Sequence, residues 1–181
     1  FGVMATIMVR YLDGIEKPSV GLLNIGIENI KGNETIKEAS ELFRNSQLNY
    51  QGFVEGDAIF TGNVDIIVCD GFSGNVALKT SEGLAQMLTR ITREAFGHSW
   101  YSRILGGLAL PALKSIFRRI DHRRYNGAAL LGLRGAVIKS HGSADRVAFG
   151  HAIEVARRAI NTDLVRNIGE ELSSLGNSAN R

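Results

Sequence analysis

The chain has 181 residues, of which 44% are hydrophobic and 22% charged, with 21 Gly, 2 Pro and 1 Cys. This composition is typical of a single globular domain and argues against a disordered, collagen-like or disulfide-built chain. The net charge of +3 is unevenly distributed: positions 98–125 contain six basic residues and one acidic residue, Asp121, which leaves this segment at +5 and the remainder at −2. Such a segment indicates an anionic partner: a nucleic acid, a lipid surface or an acidic protein.

Hydrophobic periodicity predicts alternating helices and strands in the first half of the chain. A helix over 3–12 ends at Asp13-Gly14, and an apolar strand follows over 19–25. A second helix begins at Asn33-Glu34, and two further strands are predicted over 48–54 and 64–68. Strands that alternate with helices predict an α/β fold with a mainly parallel sheet.

The second half continues this alternation with one long helical region in the middle. A helix carrying Leu84 and Leu88 follows the glycine-rich string at 70–75, and a short strand is predicted over 136–138. The last helix begins near Ala144, and the polar tail from Ser173 is expected to fray. No apolar run reaches the roughly 18 residues that a transmembrane helix needs.

Ligands of α/β sheets bind at the carboxyl ends of strands, and three predicted strand ends carry polar and glycine residues, at 24–26, 70–75 and 139–142. The string from Asp70 to Asn75 predicts a loop whose backbone N–H groups approach an anion at a helix start. Lys79, one turn beyond Asn75, suits a phosphate or a developing oxyanion. The same string is equally explained by turn glycines and a helix cap at Asp70 or Asn75.

Two further residues were weighed as candidates for chemistry. His141 lies next to Gly142 at a strand end and is a candidate acid, base or anion donor, or else a hydrogen-bonded turn histidine. Cys69 directly follows an apolar strand, which favours a packed and unreactive thiol over a nucleophile. The sequence contains no Walker motif, no GxGxxG motif and no Cys/His set at metal-binding spacing. We therefore expect neither a metal nor another cofactor.

Positions 98–125 predict a protruding amphipathic helical hairpin, in which Gly106-Gly107 and Pro111 separate two short helices. The apolar and basic positions that would meet a membrane surface are Trp100, Ile104, Leu105, Leu108, Leu113, Phe117, Arg118 and Arg119. Apolar faces with basic flanks are typical of interfacial helices that bind anionic lipid. Packing of the hairpin on its own core or in a dimer explains the same pattern.

Three strings, in their order, resemble one family: VGLLNIGIENIKGNETIKEA, FVEGDAIFTGNVDIIVCDGFSGNVALKTSEG and YNGAALLGLRGAVIKSHGSA. They resemble the phosphate acyltransferase (PlsX) family of bacterial phospholipid synthesis, and the resemblance extends from Val20 to beyond Ile153. Members of that family are roughly twice this length. We therefore expect positions 1–181 to be the C-terminal part of a single α/β acyltransferase unit, whose N-terminal half this chain lacks.

The resemblance implies a Rossmann-like fold, similar to those of phosphotransacetylases and isopropylmalate dehydrogenases. It also implies transfer of a fatty acyl group from acyl carrier protein to inorganic phosphate. The product, acyl phosphate, would supply a glycerol-3-phosphate acyltransferase. A homodimer in the cytoplasm, attached peripherally to an anionic membrane surface, is implied as well, and nucleic acid is not an expected partner.

Residue type and position then assign roles within that reaction. We expect Lys79, Asp70 and His141 to be catalytic: Lys79 neutralises phosphate or oxyanion charge, and Asp70 orients Lys79 or accepts a phosphate proton. The residues expected to bind phosphate or substrate are Asn24, Gly71, Ser73, Gly74, Asn75, Ser140 and Gly142. Of these, Asn24 would orient the pantetheine arm of the acyl carrier.

Two alternatives come from other classes. One is a short-chain phosphotransacylase that uses coenzyme A, with the same chemistry in a smaller acyl pocket. The other is a non-catalytic module that binds anionic lipid or nucleic acid through the basic hairpin.

Overall fold

The computed structural model describes residues 1–178, except for the side chains at positions 116, 118–120, 122 and 175–178. The helices are α1 (Gly2–Asp13), α2 (Glu34–Arg44), α3 (Gly71–Gly97), α4 (Trp100–Ile120), α5 (Arg146–Asn161) and α6 (Leu164–Ser178). The strands are β1 (Ser19–Leu23), β2 (Asn49–Val54), β3 (Ile66–Val68), β4 (Ala128–Ala129) and β5 (Ile138–Lys139). Short 3₁₀ helices occupy Gly56–Phe60 and His122–Tyr125.

The sheet has the strand order β2-β1-β3, and both pairings are parallel. Val20 in the central strand is paired with Tyr50 of β2 on one side and with Ile66 of β3 on the other. The predicted parallel α/β sheet is confirmed, and its strands read as apolar runs because helices cover them. The short strands β4 and β5 form a separate antiparallel pair.

Helix α1 has apolar contacts on two sides. On one side, Val9 packs with Val20 and Ile66 of the sheet. On the other, Ile7 packs with a cluster from the C-terminal helices, which comprises Ala159, Leu164 and Ile168. Full burial of a side chain of this size contributes about 1.5–3 kcal/mol, so these clusters hold α1 between the sheet and the last two helices.

Local signals set the ends of the first two helices as predicted. Gly14 ends α1 in the left-handed conformation at φ 71°, where its N–H is donated to the carbonyl of Arg10. Asn33 caps α2, because its side-chain oxygen accepts the N–H of Ile36 at 3.0 Å. The tail that is expected to fray from Ser173 is helical as far as Ser178, where α6 ends; positions 179–181 lie outside the described residues.

Helices α3 and α4 pack against each other as a hairpin, joined at His98 and Ser99. The prediction of two short helices is wrong, because α4 continues through Gly106-Gly107 and Pro111. Ser99 begins α4 with a capping box, and Gly106 lies against Phe96, where an added Cβ would be 3.0 Å from the ring. Close packing on α3 thus outweighs the helix-breaking residues, and the hairpin consists of α3 with α4 rather than of 98–125 alone.

Candidate functional site

The structure brings together two of the predicted catalytic residues. Lys79 lies in α3, and its Nζ is 3.1 Å from Nε2 of His141, which follows β5. The two residues are 62 positions apart in the chain, so this contact depends on the packing of α3 beside the β4–β5 pair. An ammonium can only donate hydrogen bonds, so Nε2 of His141 accepts in this contact when the ring proton resides on Nδ1.

Glu82 is the third member of this cluster. It lies one helical turn beyond Lys79, and its Oε2 accepts a hydrogen bond from Nζ at 2.8 Å. Its Oε1 is 3.8 Å from Nε2 of His141. Glu82 was not predicted as a site residue, although its spacing of three residues from Lys79 is a visible signal for one helix face.

The amide of Asn126 holds the turn that carries His141. Its Oδ1 accepts the backbone N–H of His141 at 2.8 Å, and its Nδ2 donates to Ser140 Oγ at 2.8 Å and to the Ala148 carbonyl at 2.9 Å. Ser143 Oγ lies 2.8 Å from Nδ1 of His141. Asn126 and Ser143 were also missed as site residues, although both stand in the string that carries the family resemblance.

The predicted glycine loop at 71–75 is wrong as a structure, since these residues form the first turn of α3. Asp70 caps this helix: its Oδ1 accepts the N–H groups of Phe72 and Ser73, each at 2.9 Å, and its Oδ2 accepts Ser73 Oγ–H at 2.6 Å. The Ser73 hydroxyl and N–H lower the pKa of Asp70, while loss of hydration at the helix start opposes them. The alternative prediction, that Asp70 caps a helix, is therefore confirmed.

This cap changes what the start of α3 can offer a ligand. The N–H groups of Phe72 and Ser73 are bonded to Asp70, and the N–H of Gly74 donates to the Asp70 carbonyl at 3.0 Å. The hydrogen bonds of Asp70 are made within its own helix. Lys79, which Asp70 was expected to orient, is held by Glu82 instead. Phosphate binding by Gly71, Ser73, Gly74 and Asn75 stays a prediction, with Asn75 one turn from Lys79 in α3.

Asn24 is buried at the end of β1, and its amide has partners within its own loop. Its Oδ1 accepts the N–H of Ile25 at 2.8 Å, and its Nδ2 donates to the Lys31 carbonyl at 3.3 Å. A Cβ at Gly32 would lie 2.5 Å from this Oδ1, so glycine is needed for the loop to close over Asn24. These contacts describe a loop-organising residue, and the expected contact with a pantetheine arm stays a prediction.

A groove of about 680 Å³ lies beside the cluster. Its polar lining comprises Ser81, Glu82, Arg123, Asn126, Lys139, Ser140, His141 and Ser143. Its apolar lining includes Phe60, Leu78, Leu84, Ala85, Leu88 and Tyr125. Because residues 78, 82, 85 and 88 fall on one helix face, α3 supplies one long wall on which polar and apolar groups are continuous.

The residues predicted to meet a membrane lie on α4. Trp100, Ile104, Leu105 and Leu108 are exposed, the last to 76%, whereas Leu113 and Phe117 are half-buried. The side chains of Arg118 and Arg119 lie outside the described residues. None of the helices in the described part of the chain is long and apolar enough to cross a bilayer.

The remaining candidates concern thiol and metal chemistry. Cys69 is exposed rather than packed as expected, although its sulfur lies against Gly74, where a Cβ would be 2.7 Å away. Partial burial, together with the charge of Asp70, raises the pKa of the Cys69 thiol, which disfavours the reactive thiolate. Among residues 1–178, outside the undescribed side chains, no three His, Cys, Asp or Glu residues converge on a common point.

Comparison with known proteins places residues 1–167 within the model of a family described as fatty acid synthesis protein. A protein of Paraburkholderia phytofirmans named phosphate acyltransferase is 55% identical over 183 residues, covering 99% of this chain and 50% of the relative. Proteins with the same name from Paraburkholderia phymatum and Paraburkholderia xenovorans are each 56% identical over 172 residues. The chain spans about half the length of the curated relatives it matches.

Proposed function

Because the chain belongs to the fatty acid synthesis protein family, we propose that it forms part of a phosphate acyltransferase that moves a fatty acyl group from acyl carrier protein to inorganic phosphate. The names of its relatives support the reaction class. The acyl phosphate product would serve a glycerol-3-phosphate acyltransferase in bacterial phospholipid synthesis. No metal or nucleotide is required, since phosphate is itself the nucleophile.

The contact between Lys79 and His141 beside an apolar groove is the observation that carries this proposal. The reaction needs a cationic group for phosphate and an apolar channel for the acyl chain at one place. Ser140 adds a further donor, because its Oγ accepts Asn126 Nδ2–H and keeps its own proton to donate to a phosphate oxygen. Gly142, next to His141, is proposed to contribute at the same side of the groove.

In the proposed step, an oxygen of hydrogen phosphate attacks the thioester carbonyl carbon. A C–O bond forms, the C–S bond breaks, and the phosphate proton ends on the departing sulfur, so acyl phosphate and the free carrier thiol result. Lys79 stabilises the oxyanion of the tetrahedral intermediate. His141 is the better candidate to carry the proton, because Asp70 is bonded to Ser73 and its pKa is lowered.

The groove favours a long acyl chain over the short-chain alternative. Its volume of about 680 Å³ and its leucine-rich wall exceed what an acetyl group needs. A short-chain enzyme that uses coenzyme A would not need the side chains of Leu84 and Leu88 to be accessible to its substrate in the groove. This comparison supports a fatty acyl substrate.

Peripheral membrane attachment is proposed for the hairpin of α3 and α4. The exposed apolar side chains of Trp100, Ile104 and Leu108 stand next to basic residues of the segment that carries the +5 charge. Apolar insertion and attraction to anionic lipid would act together there. A cytoplasmic homodimer is proposed on the family resemblance alone.

The test uses a full-length protein that carries this chain, incubated with long-chain acyl carrier protein with and without phosphate. We expect release of the free carrier thiol only with phosphate, together with incorporation of ³²P-labelled phosphate into acyl phosphate. Hydrolysis that does not depend on phosphate, or turnover of acetyl coenzyme A alone, would contradict the proposal.

A further inference from the structure

The carboxylate of Glu82 is the most shielded member of the cluster with Lys79 and His141. Its side chain is 16% exposed, against 52% for Lys79. Oε2 is 2.8 Å from the ammonium, and Oε1 at 3.8 Å from Nε2 of His141 is beyond hydrogen-bond distance. Glu82 therefore contacts Lys79 through a hydrogen bond and faces His141 without one, while Lys79 contacts both.

This ion pair differs from an ordinary surface pair on the same helix. Arg90 and Glu94 of α3 are 4.0 Å apart, and their side chains are 72% and 70% exposed. Exposed pairs of that kind contribute little, because solvent screens them and ordering the side chains costs entropy. Glu82 instead lines the groove, where a carboxylate repels an anionic substrate. A carboxylate at this position is therefore expected to assist the reaction in a way that offsets this repulsion.

The hydrogen bonds of Lys79 indicate how Glu82 assists the reaction. An ammonium has three N–H donors, of which one is donated to Glu82 and one to Nε2 of His141. When Nε2 accepts from Lys79, the proton of a neutral His141 ring resides on Nδ1, which lies 2.8 Å from Ser143 Oγ; in the other tautomer, Nδ1 accepts the backbone N–H of Ser143 at 3.2 Å. With two donors directed to partners among the described residues, the third is the one that a phosphate oxygen or an oxyanion would accept.

We propose that Glu82 is a positioning residue, which fixes the orientation of the Lys79 ammonium between His141 and the acyl acceptor; this inference rests on the proposed transfer to phosphate. A lysine side chain has a flexible four-carbon stem. Holding it in one orientation before the reaction removes the need to order it in the transition state. The cost is a weaker attraction for phosphate, so Glu82 favours turnover over binding.

The experiment measures phosphate-dependent acyl transfer by the full-length protein with the variants Glu82→Gln and Glu82→Asp, and with Glu94→Gln as the matched control. Glu82→Gln should lower kcat roughly 10- to 100-fold, since misplacing a catalytic group by about 1 Å can cost 10²-fold. Its KM for phosphate should stay unchanged or fall, because a negative charge is removed. Glu82→Asp, which keeps the charge, should restore part of kcat, and Glu94→Gln should behave as the wild type.

A double-mutant cycle with Lys79→Ala tests whether Glu82 acts through Lys79. In the Lys79→Ala background, Glu82→Gln should cause no further loss, whereas independent contributions would multiply. Multiplicative losses, wild-type kcat in Glu82→Gln, or a raised KM with unchanged kcat would each overturn the positioning role while the wild type remains active. A wild type without phosphate-dependent transfer would overturn the proposed function itself, and the positioning role with it.

Discussion

Asn126 holds His141 by its backbone, because the Asn126 side-chain oxygen accepts the His141 N–H at 2.8 Å. The same amide donates to Ser140 Oγ and to the Ala148 carbonyl in α5, so one side chain joins the turn after β5 to the helix behind it. The neighbouring Gly127, at φ 112°, lies against Ala152, where an added Cβ would be 2.9 Å from the Cα. The position of the His141 ring thus depends on a residue that the sequence analysis did not select.

We therefore expect Asn126→Ala to lower acyl transfer roughly 10- to 100-fold, because His141 loses its backbone anchor next to the reacting groups. Asn167→Ala is the matched control, since this half-buried asparagine donates to the Thr162 carbonyl between α5 and α6. Loss of that bond should lower stability by about 1 kcal/mol and leave kcat unchanged. Steady-state kinetics and thermal unfolding separate the two effects. Equal kcat losses in both variants would show that Asn126 matters only for folding.

Lys79→Ala should lower kcat by about 10²–10³, or about 2.7–4 kcal/mol, the cost of one lost oxyanion donor. Arg90→Ala serves as the control, because Arg90 is an exposed cation of the same helix. His141→Ala should cause a smaller loss than Lys79→Ala, since the product thiol can also take its proton from water. Near-normal turnover by a folded Lys79→Ala protein would reduce Lys79 to a surface residue of α3.

Asp70 should make the start of α3 sensitive to acid. Hydrogen bonds from Ser73 hold the pKa of Asp70 below its ordinary value. The contribution of Asp70 to the free energy of unfolding is therefore complete above the unfolded-state pKa of about 3.9, and it is lost as pH falls through the lower folded-state pKa. Asp70→Ala should lower the Tm at pH 7. Asp70→Asn, which still caps a helix, should keep more of that Tm and weaken its decline in acid.

Thermal unfolding followed by circular dichroism between pH 7 and pH 3 measures this dependence. Asp57→Asn is the comparison, since Asp57 is exposed at the first 3₁₀ helix. If Asp70→Asn and the wild type lose stability in parallel over the acid range, the cap does not contribute to acid sensitivity.

Leu108→Glu should release the full-length protein from anionic vesicles. Burial of a leucine contributes about 1.5–3 kcal/mol, and each basic residue near an anionic surface about 1 kcal/mol. The charge-dependent part should weaken with salt, while the apolar part should not. Leu108 is preferable to the half-buried Leu113 as a site for this change, because substitution at Leu113 would also disturb packing of the hairpin.

Vesicle sedimentation measures the effect, with Leu42→Glu as the control because Leu42 is an exposed leucine of α2, outside the hairpin. Acyl transfer in solution should be retained by both variants. A Leu108→Glu protein that loses its oligomeric state, as measured by light scattering, would indicate that Leu108 belongs to an interface between proteins.

The parallel sheet was open to prediction, because the apolar run at β1 predicts a covered strand. The contact between Lys79 and His141 was not, because it joins residues 62 positions apart and β5 belongs to a separate antiparallel pair rather than to the edge of the parallel sheet. The role of Glu82 was not predictable in the same way. A glutamate three residues after a lysine is common on solvated helices, and only the arrival of the β5 turn at α3 distinguishes it from Glu94.

The continuous helix α4 illustrates a second limit. Gly106, Gly107 and Pro111 are locally unfavourable within a helix, so the sequence predicted a break. The cost is met by contacts with a partner helix: Gly106 is buried against Phe96, and the segment is capped at Ser99. Local propensity contains no information about that partner.

The pairing of the first helix with the last has a consequence for how the chain acquires its structure. Arg10 of α1 binds Glu171 of α6 at 2.9 Å across 161 positions, and Ile7 and Ile168 belong to one cluster. On the ribosome, α1 emerges before α6 and cannot bury this surface against it until α6 has been synthesised. At about 5–20 residues per second, that apolar face stays open for roughly ten seconds or more. During this interval, the apolar face of α1 is exposed surface of the kind that promotes aggregation.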